Sequence, residues 1–401
     1  MSACLYAANH PARFWRPILC PEPAAARWEE ATRRAAAALP YLARTSGDEI
    51  EPLLAATLGE GQFGPRHWRL SPLRRLYYLM KPLIPRRIAL RGRRLSRSAA
   101  QRAFPLGWPI EDRYRQFLWD VIGELMVLEG RSEVPFIFFW PQGHTHALVL
   151  THDVETIDGQ RFVSEVASLE EKLGFRSSFN FVAERYPLDH GLIEALKEGG
   201  FEVGIHGRKH DGRELRSQRV FEEHARHING HLRQLGAVGF RSPLTHRQPE
   251  WMQSLDVEYD TSFFDSDPFE PVPGGTMSLW PFIIGRFLEL PYTLAQDFTL
   301  MDVLGEHQPR LWLEKVSYVR RFYGMALLNT HPDYLRERSH RSVYTAFLEQ
   351  LQWDTSHWNA LPRDVARWWR RRSATDSIAS LPGARTGLVH RDRTGQTEVV
   401  P

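Results

Sequence analysis

Short apolar runs alternate with amphipathic stretches from residue 146 onward, a pattern typical of βα units around a parallel sheet. Seven of these runs are candidate strands: residues 146–151, 177–182, 201–205, 239–241, 259–263, 287–290 and 325–329. Most of them are separated by segments with helical periodicity, namely residues 161–173, 192–198, 218–235, 311–321 and 343–351. Seven consecutive units of this kind indicate an α/β barrel.

The residues before this region are helical and irregular in pattern, starting with an Ala-rich segment at 23–39. From Trp68 to Arg102 the chain has eleven Arg or Lys and no Asp or Glu, interleaved with aromatic and aliphatic side chains. Such a basic segment can lie on an anionic membrane surface, where each nearby cation contributes about 1 kcal/mol at most. The alternative is a helical arm that packs on the barrel with its arginines in solvent.

The changes of pattern divide the chain into three parts. We predict an N-terminal helical extension at 1–134, a barrel at 135–372 and a polar C-terminal tail at 373–401. A helix with Trp368 and Trp369 closes the barrel region. We expect the tail to contribute little to the core.

Composition narrows the class of protein. The 51 basic residues, of which 46 are Arg and five are Lys, nearly balance 48 acidic ones, so a net charge of +3 excludes a chain-wide nucleic-acid-binding polyelectrolyte. Two cysteines, Cys4 and Cys20, are too few for a thiolate metal cluster. Neither a secretory signal nor an apolar run of about 18 residues is visible. We expect a cytoplasmic protein, with peripheral contact at the inner membrane surface if the basic segment binds lipid.

The first barrel strand ends in charged groups. Asp153 and Glu155 follow the apolar run 146–151, and the ends of barrel strands are where catalytic residues lie. In an extended chain, residues two apart point to the same side, so both carboxylates can face one site. Two adjacent carboxylates favour a bound cation; the alternative is a solvated acidic loop.

The third candidate strand supplies nitrogen ligands. His206 and His210 follow the run 201–205 directly. Four residues apart, they share one face of a helical turn and can chelate one divalent ion. With Asp153 and Glu155 they predict a mixed histidine and carboxylate metal site at the carboxyl ends of the strands.

Three more strand ends carry polar groups. Arg241 can orient a carboxylate through paired charge-assisted hydrogen bonds. His331 is placed where a histidine general acid can meet a leaving group. Asp297 follows the strand at 287–290 and can support His331.

Other motifs fail on context. His224, His227 and His231 lie beside the apolar stripe of the predicted helix 218–235, which places them at its solvent border rather than in a catalytic site. The glycine pattern at 59–64 follows a helical segment, so it lacks the strand-turn-helix of a dinucleotide loop. The chain has no phosphate loop and no serine nucleophile elbow.

In the order of its motifs the chain resembles the NodB-type polysaccharide deacetylases, a carbohydrate esterase family. The matching segments are Thr151-His152-Asp153-Val154-Glu155, His206-x-x-x-His210, Arg241-Ser242-Pro243 with Trp251 downstream, a loose match around Asp297, and Leu327-Leu328-Asn329-Thr330-His331. The resemblance covers about residues 135–372 and implies a (β/α)7-like deformed barrel with a divalent metal, usually zinc. The family's first motif has two adjacent aspartates, whereas Val154 separates the acids here, as in a similar His-Asp-Val-Asp subgroup.

This resemblance implies roles for the residues. Asp153 is expected to be the base and Glu155 the third metal ligand beside His206 and His210, with the reverse assignment of the two acids open. His331 would protonate the leaving group, and Arg241 would hold Asp153 ionised. The implied reaction is removal of acetyl groups from an N- or O-acetylated sugar, with an intracellular or lipid-linked glycan as the expected substrate. Two alternatives stay open: an amidohydrolase on a small non-sugar amide, and an inactive carbohydrate-binding relative.

Overall fold

The computed structural model describes residues 5–39, 50–65, 67–69, 86–375, 377–392 and 394–401. Its strands are β1 (Glu133–Ile137), β2 (His146–Val154), β3 (Ser178–Phe181), β4 (Glu202–Ile205), β5 (Gly239–Phe240), β6 (Tyr259–Asp260), β7 (Phe282–Ile284), β8 (Phe287–Glu289), β9 (Met325–Thr330), β10 (His357–Asn359), β11 (Thr386–Arg391) and β12 (Thr397–Val400). Its α-helices are α1 (Pro11–Trp15), α2 (Ala25–Ala35), α3 (Ile50–Leu58), α4 (Arg86–Ala103), α5 (Arg113–Leu128), α6 (Ile157–Lys172), α7 (His190–Glu198), α8 (Gln218–Leu235), α9 (Pro249–Met252), α10 (Arg310–Arg321), α11 (Pro332–Leu335), α12 (Arg338–Leu351) and α13 (Pro362–Ala374).

Seven strands form a parallel array in the order β9-β2-β3-β4-β5-β6-β8. Each coincides with one of the seven apolar runs, so the predicted α/β, barrel-like fold is confirmed. β7 pairs antiparallel with β8, and β10 lies beside the start of β2. All nine residues of β2 are buried, as expected for a parallel strand covered on both faces.

The array curls until its two ends meet through a loop rather than a regular ladder. The backbone N–H groups of Thr293 and Leu294 donate to the carbonyl of Leu327 on β9, and the Thr293 hydroxyl donates to the carbonyl of Met325. These bonds join the segment after β8 to β9. The barrel is therefore deformed at this seam, and Asp297 lies just beyond it.

The helices form where the periodicity predicts them. The buried residues of α8 are Phe221, Ala225, Ile228, Leu232 and Leu235, which is the stripe expected from the sequence. Side-chain caps fix the starts of three barrel helices, through Thr156 for α6, Asp189 for α7 and Ser217 for α8. Local hydrogen bonds therefore fix where these helices begin, and apolar packing determines which face of each helix is buried.

The N-terminal extension is joined to the barrel by a buried ion pair. Arg247, after β5, makes two contacts of 2.6 Å with the carboxylate of Glu60, and both side chains are buried. Glu60 belongs to the glycine-rich turn at 59–64, which follows α3 as expected and continues into a short 3₁₀ helix at Gly61–Phe63. This turn therefore docks the extension. Cys20 is exposed, and Cys4 lies outside the described residues.

The basic segment is described only in part, since residues 70–85 lie outside the described ranges. Its later part forms α4, which packs on a π-helix at Phe298–Leu304. Arg94 donates to the carbonyl of Asp302 at 2.7 Å, and Arg97 to that of Leu304 at 2.5 Å. These contacts agree with the packed-arm interpretation for α4, and membrane contact by 68–102 stays a prediction.

The C-terminal residues differ from the expected polar tail. β11 pairs with both β1 and β12 in an antiparallel sheet, and Val389 and Leu381 are buried in the core. The expectation that the tail contributes little to the core is therefore wrong for these residues; their alternating polar pattern hid a strand that pairs far away in sequence. Among the described helices, none has the length and apolar character needed to cross a bilayer.

Candidate active site and metal centre

Three side chains from two strand ends converge on one point. Glu155, after β2, and His206 and His210, after β4, have ligand atoms that all lie within 4.8 Å of one another. The Oε1 atom of Glu155 is 3.1 Å from Nε2 of His210 and 4.0 Å from Nε2 of His206. In the part of the chain that the structure describes, this is the one such group of three.

The histidine pair converges differently from the expected helical turn. Gly207 and His210 both have left-handed backbones, with φ of 67° and 54°, so the segment is a loop that folds His210 back toward His206. A Cβ atom at Gly207 would lie 2.3 Å from Cγ of Pro243, which excludes a side chain there. Glycine at 207 thus allows the loop to pass closely over the segment that follows β5.

The donor set fits a divalent cation. Nδ1 of His206 lies 3.1 Å from the carbonyl of Arg241, and donation to that carbonyl leaves Nε2 as the lone-pair donor. Burial lowers the pKa of His206 to about 4, so its ring is neutral as a ligand must be. Nε2 of His210 is buried and lies 3.1 Å from Oε1 of Glu155, which raises the pKa of His210 against the effect of burial. Two imidazoles and a carboxylate are a combination that zinc accepts, with a further position for water.

Asp153 lies beside this group with its carboxylate held by amides. Nδ2 of Asn180 donates to Oδ1 at 3.2 Å, and Nδ2 of Asn329 donates to Oδ2 at 2.9 Å. Burial alone would raise the pKa of Asp153, but His206 and Arg241 outweigh it and hold the pKa below its usual value. The carboxylate is therefore ionised and oriented, as a base must be.

Arg241 contributes less directly than the paired hydrogen bonds expected from the sequence. Its Nε atom is 3.5 Å from Oδ1 of Asp153, and its hydrogen bonds go to Thr261 and Thr151 instead. The guanidinium is fully buried. It therefore acts on Asp153 through charge, while the two asparagines supply the direction.

His331 and Asp297 form a hydrogen-bonded pair on the other side of the carboxylates. Oδ1 of Asp297 lies 2.7 Å from Nδ1 of His331, and Oδ2 accepts from the His331 backbone N–H at 2.7 Å. Burial disfavours the charged imidazole, but Asp297 outweighs it and raises the pKa of His331 to about 10. Nε2 of His331 is 3.8 Å from Oε1 of Glu155, so the protonated imidazole of His331 faces the candidate metal ligands.

The seven site residues predicted from the sequence thus lie together in the structure. Six further polar residues lie near them that the sequence did not single out. Asp153, Glu155, His206, His210 and His331 line a cavity of about 470 Å³ that opens to solvent. The additional groups at or near this cavity are Asn180, Asn329, Asp333, Gln296, Glu270 and Arg93. The sequence did contain a signal for Asn180, because it is a lone amide within an apolar strand. In the structure Asn180 pairs in register with Asp153.

The rival histidine cluster lies elsewhere, on α8. His227 and His231 approach Oε1 of Glu184 at 3.2 and 3.4 Å, while Arg208 binds the other oxygen of that carboxylate at 2.7 Å. His227 is half exposed. The position at the solvent border of α8 agrees with the expectation from the helical stripe.

No family model matches the chain, and no curated protein matches it in sequence. Similar solved structures include a putative polysaccharide deacetylase from Mycobacterium smegmatis, with 16% identity, 60% of this chain and 95% of that chain covered, and a TM-score of 0.48. A probable polysaccharide deacetylase from Pseudomonas aeruginosa PAO1 has 18% identity, 58% and 93% coverage and a TM-score of 0.46. PuuE allantoinase has 17% identity, 59% and 94% coverage and the same TM-score of 0.46. These values are too low to assign an activity, so the function has to be inferred from the side chains.

Proposed function

We propose that this protein is a metal-dependent hydrolase that removes acetyl groups from an N- or O-acetylated sugar, glycolipid or glycan intermediate. The observation that carries the proposal is the arrangement of Glu155, His206 and His210 around one point, with an oriented carboxylate and a protonated imidazole on either side. His206, His210 and Glu155 would hold the cation, for which zinc is the expected identity. When bound, a divalent cation lowers the pKa of water and polarises a carbonyl oxygen.

The protein's own groups would then move the protons. Asp153, fixed by Asn180 and Asn329, accepts a proton from the attacking water as its oxygen bonds to the acetyl carbon. His331 donates the proton on Nε2 to the sugar nitrogen or oxygen as the bond from that atom to the acetyl carbon breaks. Asp297 keeps Nδ1 of His331 hydrogen-bonded, which directs the transferable proton into the cavity. The products are acetate and the free amine or alcohol.

Two variants test the proposal when zinc content and acetate release are measured on the same samples. His206→Ala should lose both. His331→Ala should keep the metal and lose about 10²- to 10⁴-fold in acetate release, the usual contribution of a general acid. His227→Ala, on the exposed face of α8, is the control and should change neither. Unchanged acetate release in either active-site variant contradicts the mechanism.

Assays on the same protein samples also distinguish the deacetylase from the two alternative functions. Acetate release from acetylated glycans supports the deacetylase. Hydrolysis of small non-sugar amides with no such release would favour the amidohydrolase. Metal-free protein that still binds glycans would favour an inactive carbohydrate-binding relative, for which the Val154 insertion in the first motif is the motivating observation.

A further inference from the structure

A row of hydrogen bonds leads from the wall of the cavity to the proposed base. Nδ2 of Asn329 on β9 donates to Oδ2 of Asp153 at 2.9 Å and to Oε1 of Gln296 at 3.2 Å. Nε2 of Gln296, in the segment between β8 and the π-helix, donates in turn to Oε1 of Glu270 at 2.9 Å. Two amides thus lie between two carboxyl groups, and we call these four side chains the amide relay.

The orientation of each amide in the relay depends on its neighbour. An amide has an accepting oxygen on one side and a donating NH2 group on the other. A reversed Gln296 would place its NH2 group against that of Asn329 and its oxygen against Oε1 of Glu270. All four side chains are buried, where such unpaired groups cost most. Glu270 therefore determines which atom of Gln296 faces Asn329.

The opposite side of the Asn329 amide is held less firmly. The hydroxyl of Thr151 lies 3.1 Å from Oδ1 of Asn329 and 3.0 Å from the carbonyl oxygen of Leu328. A hydroxyl has one proton and serves one of these acceptors at a time. The oxygen of Gln296 is consequently the partner that, together with Asp153, directs the NH2 group of Asn329.

This orientation holds whether Glu270 is ionised or protonated. Burial raises the pKa of its carboxyl group, so both states have to be considered. The Thr245 hydroxyl lies 3.0 Å from Oε2 of Glu270 and 2.7 Å from the carbonyl oxygen of Leu244. It can donate to an ionised Oε2, or accept from a protonated Oε2 while it donates to Leu244. Oε1 is left to accept from Gln296 in both states.

We propose that Glu270 is a positioning residue, which acts through the two amides of the relay to orient the carboxylate of Asp153. This inference rests on the proposed function, since it takes Asp153 as the base. Glu270 also lines the cavity, where a direct contact with substrate would be a different role. The two roles differ in kinetics, because positioning acts on the chemical step and a substrate contact acts on binding.

Steady-state acetate release from N-acetylglucosamine oligomers, with zinc content measured on the same samples, tests the positioning role. Glu270→Ala should lower kcat about 10- to 100-fold, as expected for a misplaced catalytic group, with KM and zinc content unchanged. Glu270→Gln should retain most of the wild-type kcat, since its amide oxygen can accept from Gln296 while its NH2 group donates to Thr245. Glu194→Ala, at an exposed position on α7, is the control and should match the wild type.

A double variant shows whether both residues act along one path. If they do, Glu270→Ala combined with Gln296→Ala should lose no more than the larger of the two single losses. Multiplied losses would mean that Glu270 acts outside the relay and would overturn the proposal. A raised KM at unchanged kcat in Glu270→Ala, or an equal loss of kcat in Glu270→Gln, would overturn it as well.

Nitrogen-15 NMR of the side-chain amides tests the relay without catalysis. The Asn329 resonances, assigned by their loss in Asn329→Asp, should shift in Glu270→Ala and stay near their wild-type positions in Glu270→Gln. This result in a wild type that releases no acetate would contradict the proposed function and leave the orienting effect of Glu270 standing. Acetate release with Asn329 resonances that do not respond to Glu270→Ala would overturn the positioning role alone.

Discussion

At the scale of single residues, Asp153 and Glu155 follow the same strand but have different chemical properties, because different side chains surround each carboxylate. Asp153 receives hydrogen bonds from two amides and the charge of Arg241, so its lone pairs have a fixed direction. Glu155 instead faces three imidazoles. The charge and the hydrogen bond of His210 contribute most to holding the pKa of Glu155 well below its usual value against the effect of burial. The geometry therefore favours Glu155 as ligand and Asp153 as base.

Another buried acid, Glu202 on β4, should make stability fall with rising pH. Burial raises its pKa from 4.5 to about 7, although Arg363 N–H and Tyr259 donate to it. The folded state thus binds a proton that the unfolded state loses; the stabilisation is complete below the unfolded pKa and is lost as pH rises through 7. Between pH 5 and pH 8 this loss is about 2 to 3 kcal/mol.

Glu202→Gln should remove this part of the pH dependence. Urea unfolding of wild type and variant at pH 5 and pH 8 measures it, since the variant keeps one neutral side chain at both values. Glu194→Gln, at an exposed position on α7, is the control and should follow the wild type. Parallel stability curves for Glu202→Gln and wild type would contradict the assigned pKa.

Individual residues also show what could be predicted from the sequence. Asp153, Glu155, His206 and His331 were visible because each follows an apolar run, and a strand end is a position that periodicity reveals. The loop that brings His210 back was not visible, because a histidine with a φ of 54° is stabilised by its surroundings and not by its own preference. Asp333 was missed as a site residue because its role is tertiary: it accepts from the Glu155 backbone and binds Thr156.

At the scale of elements, the extension depends on the pair between Glu60 and Arg247. Glu60→Ala should cost about 3–5 kcal/mol in the free energy of unfolding, because it leaves the guanidinium of Arg247 buried without the carboxylate that it contacts. Chemical unfolding followed by tryptophan fluorescence measures the loss. Asp256→Ala, which removes an exposed partner of Arg233 and Arg286, is the matched control and should unfold near the wild-type midpoint.

The double variant Glu60→Leu with Arg247→Met distinguishes charge from packing in this result. If the unpaired charge causes the loss, replacing both partners with apolar side chains should recover most of it. A double variant as unstable as Glu60→Ala would show that the shape of the pair, rather than its charge, holds the turn.

The strands also differ in how well their pairing partners could be predicted from the sequence. From β2 to β8 the parallel strands pair with the next parallel strand along the chain and carry strong apolar runs, so their order follows from the chain; β9 instead returns to pair with β2. β11 pairs with β1 across more than two hundred residues, in the register of Val389 with Val134. Its own sequence is mixed, and its pairing with β1 and β12 makes it a strand.

The basic segment at 68–102 allows a test of membrane binding. Arg74→Glu, Arg75→Glu and Lys81→Glu together leave α4 intact and remove three cations from the segment. If the segment contacts lipid, this triple variant should sediment at least tenfold less with phosphatidylglycerol vesicles, since each nearby cation contributes about 1 kcal/mol. Phosphatidylcholine vesicles are the control. Equal sedimentation of both proteins would show that the segment makes no such contact.

At the scale of the whole molecule, ligand binding and folding are linked through the metal centre. Zinc bound only by the folded state should stabilise EDTA-treated protein by about 2.7 kcal/mol at a concentration one hundred times its Kd. Calorimetric melting temperatures with and without zinc measure the gain. His206→Ala should abolish it and His227→Ala should retain it; a full zinc response in His206→Ala would place the metal elsewhere.

The buried guanidinium groups limit how this chain can be divided or recombined. Arg372 donates to the carbonyl of Phe14 as well as to those of Ile137 and Phe138, and Arg247 depends on Glu60. A fragment limited to the predicted barrel region, residues 135–372, would therefore contain two buried guanidinium groups without their partners at Phe14 and Glu60. In gene fusion, domain exchange or expression of the barrel region alone, a junction near residue 135 should yield aggregation-prone protein, and a junction that keeps these contacts lies upstream of Phe14.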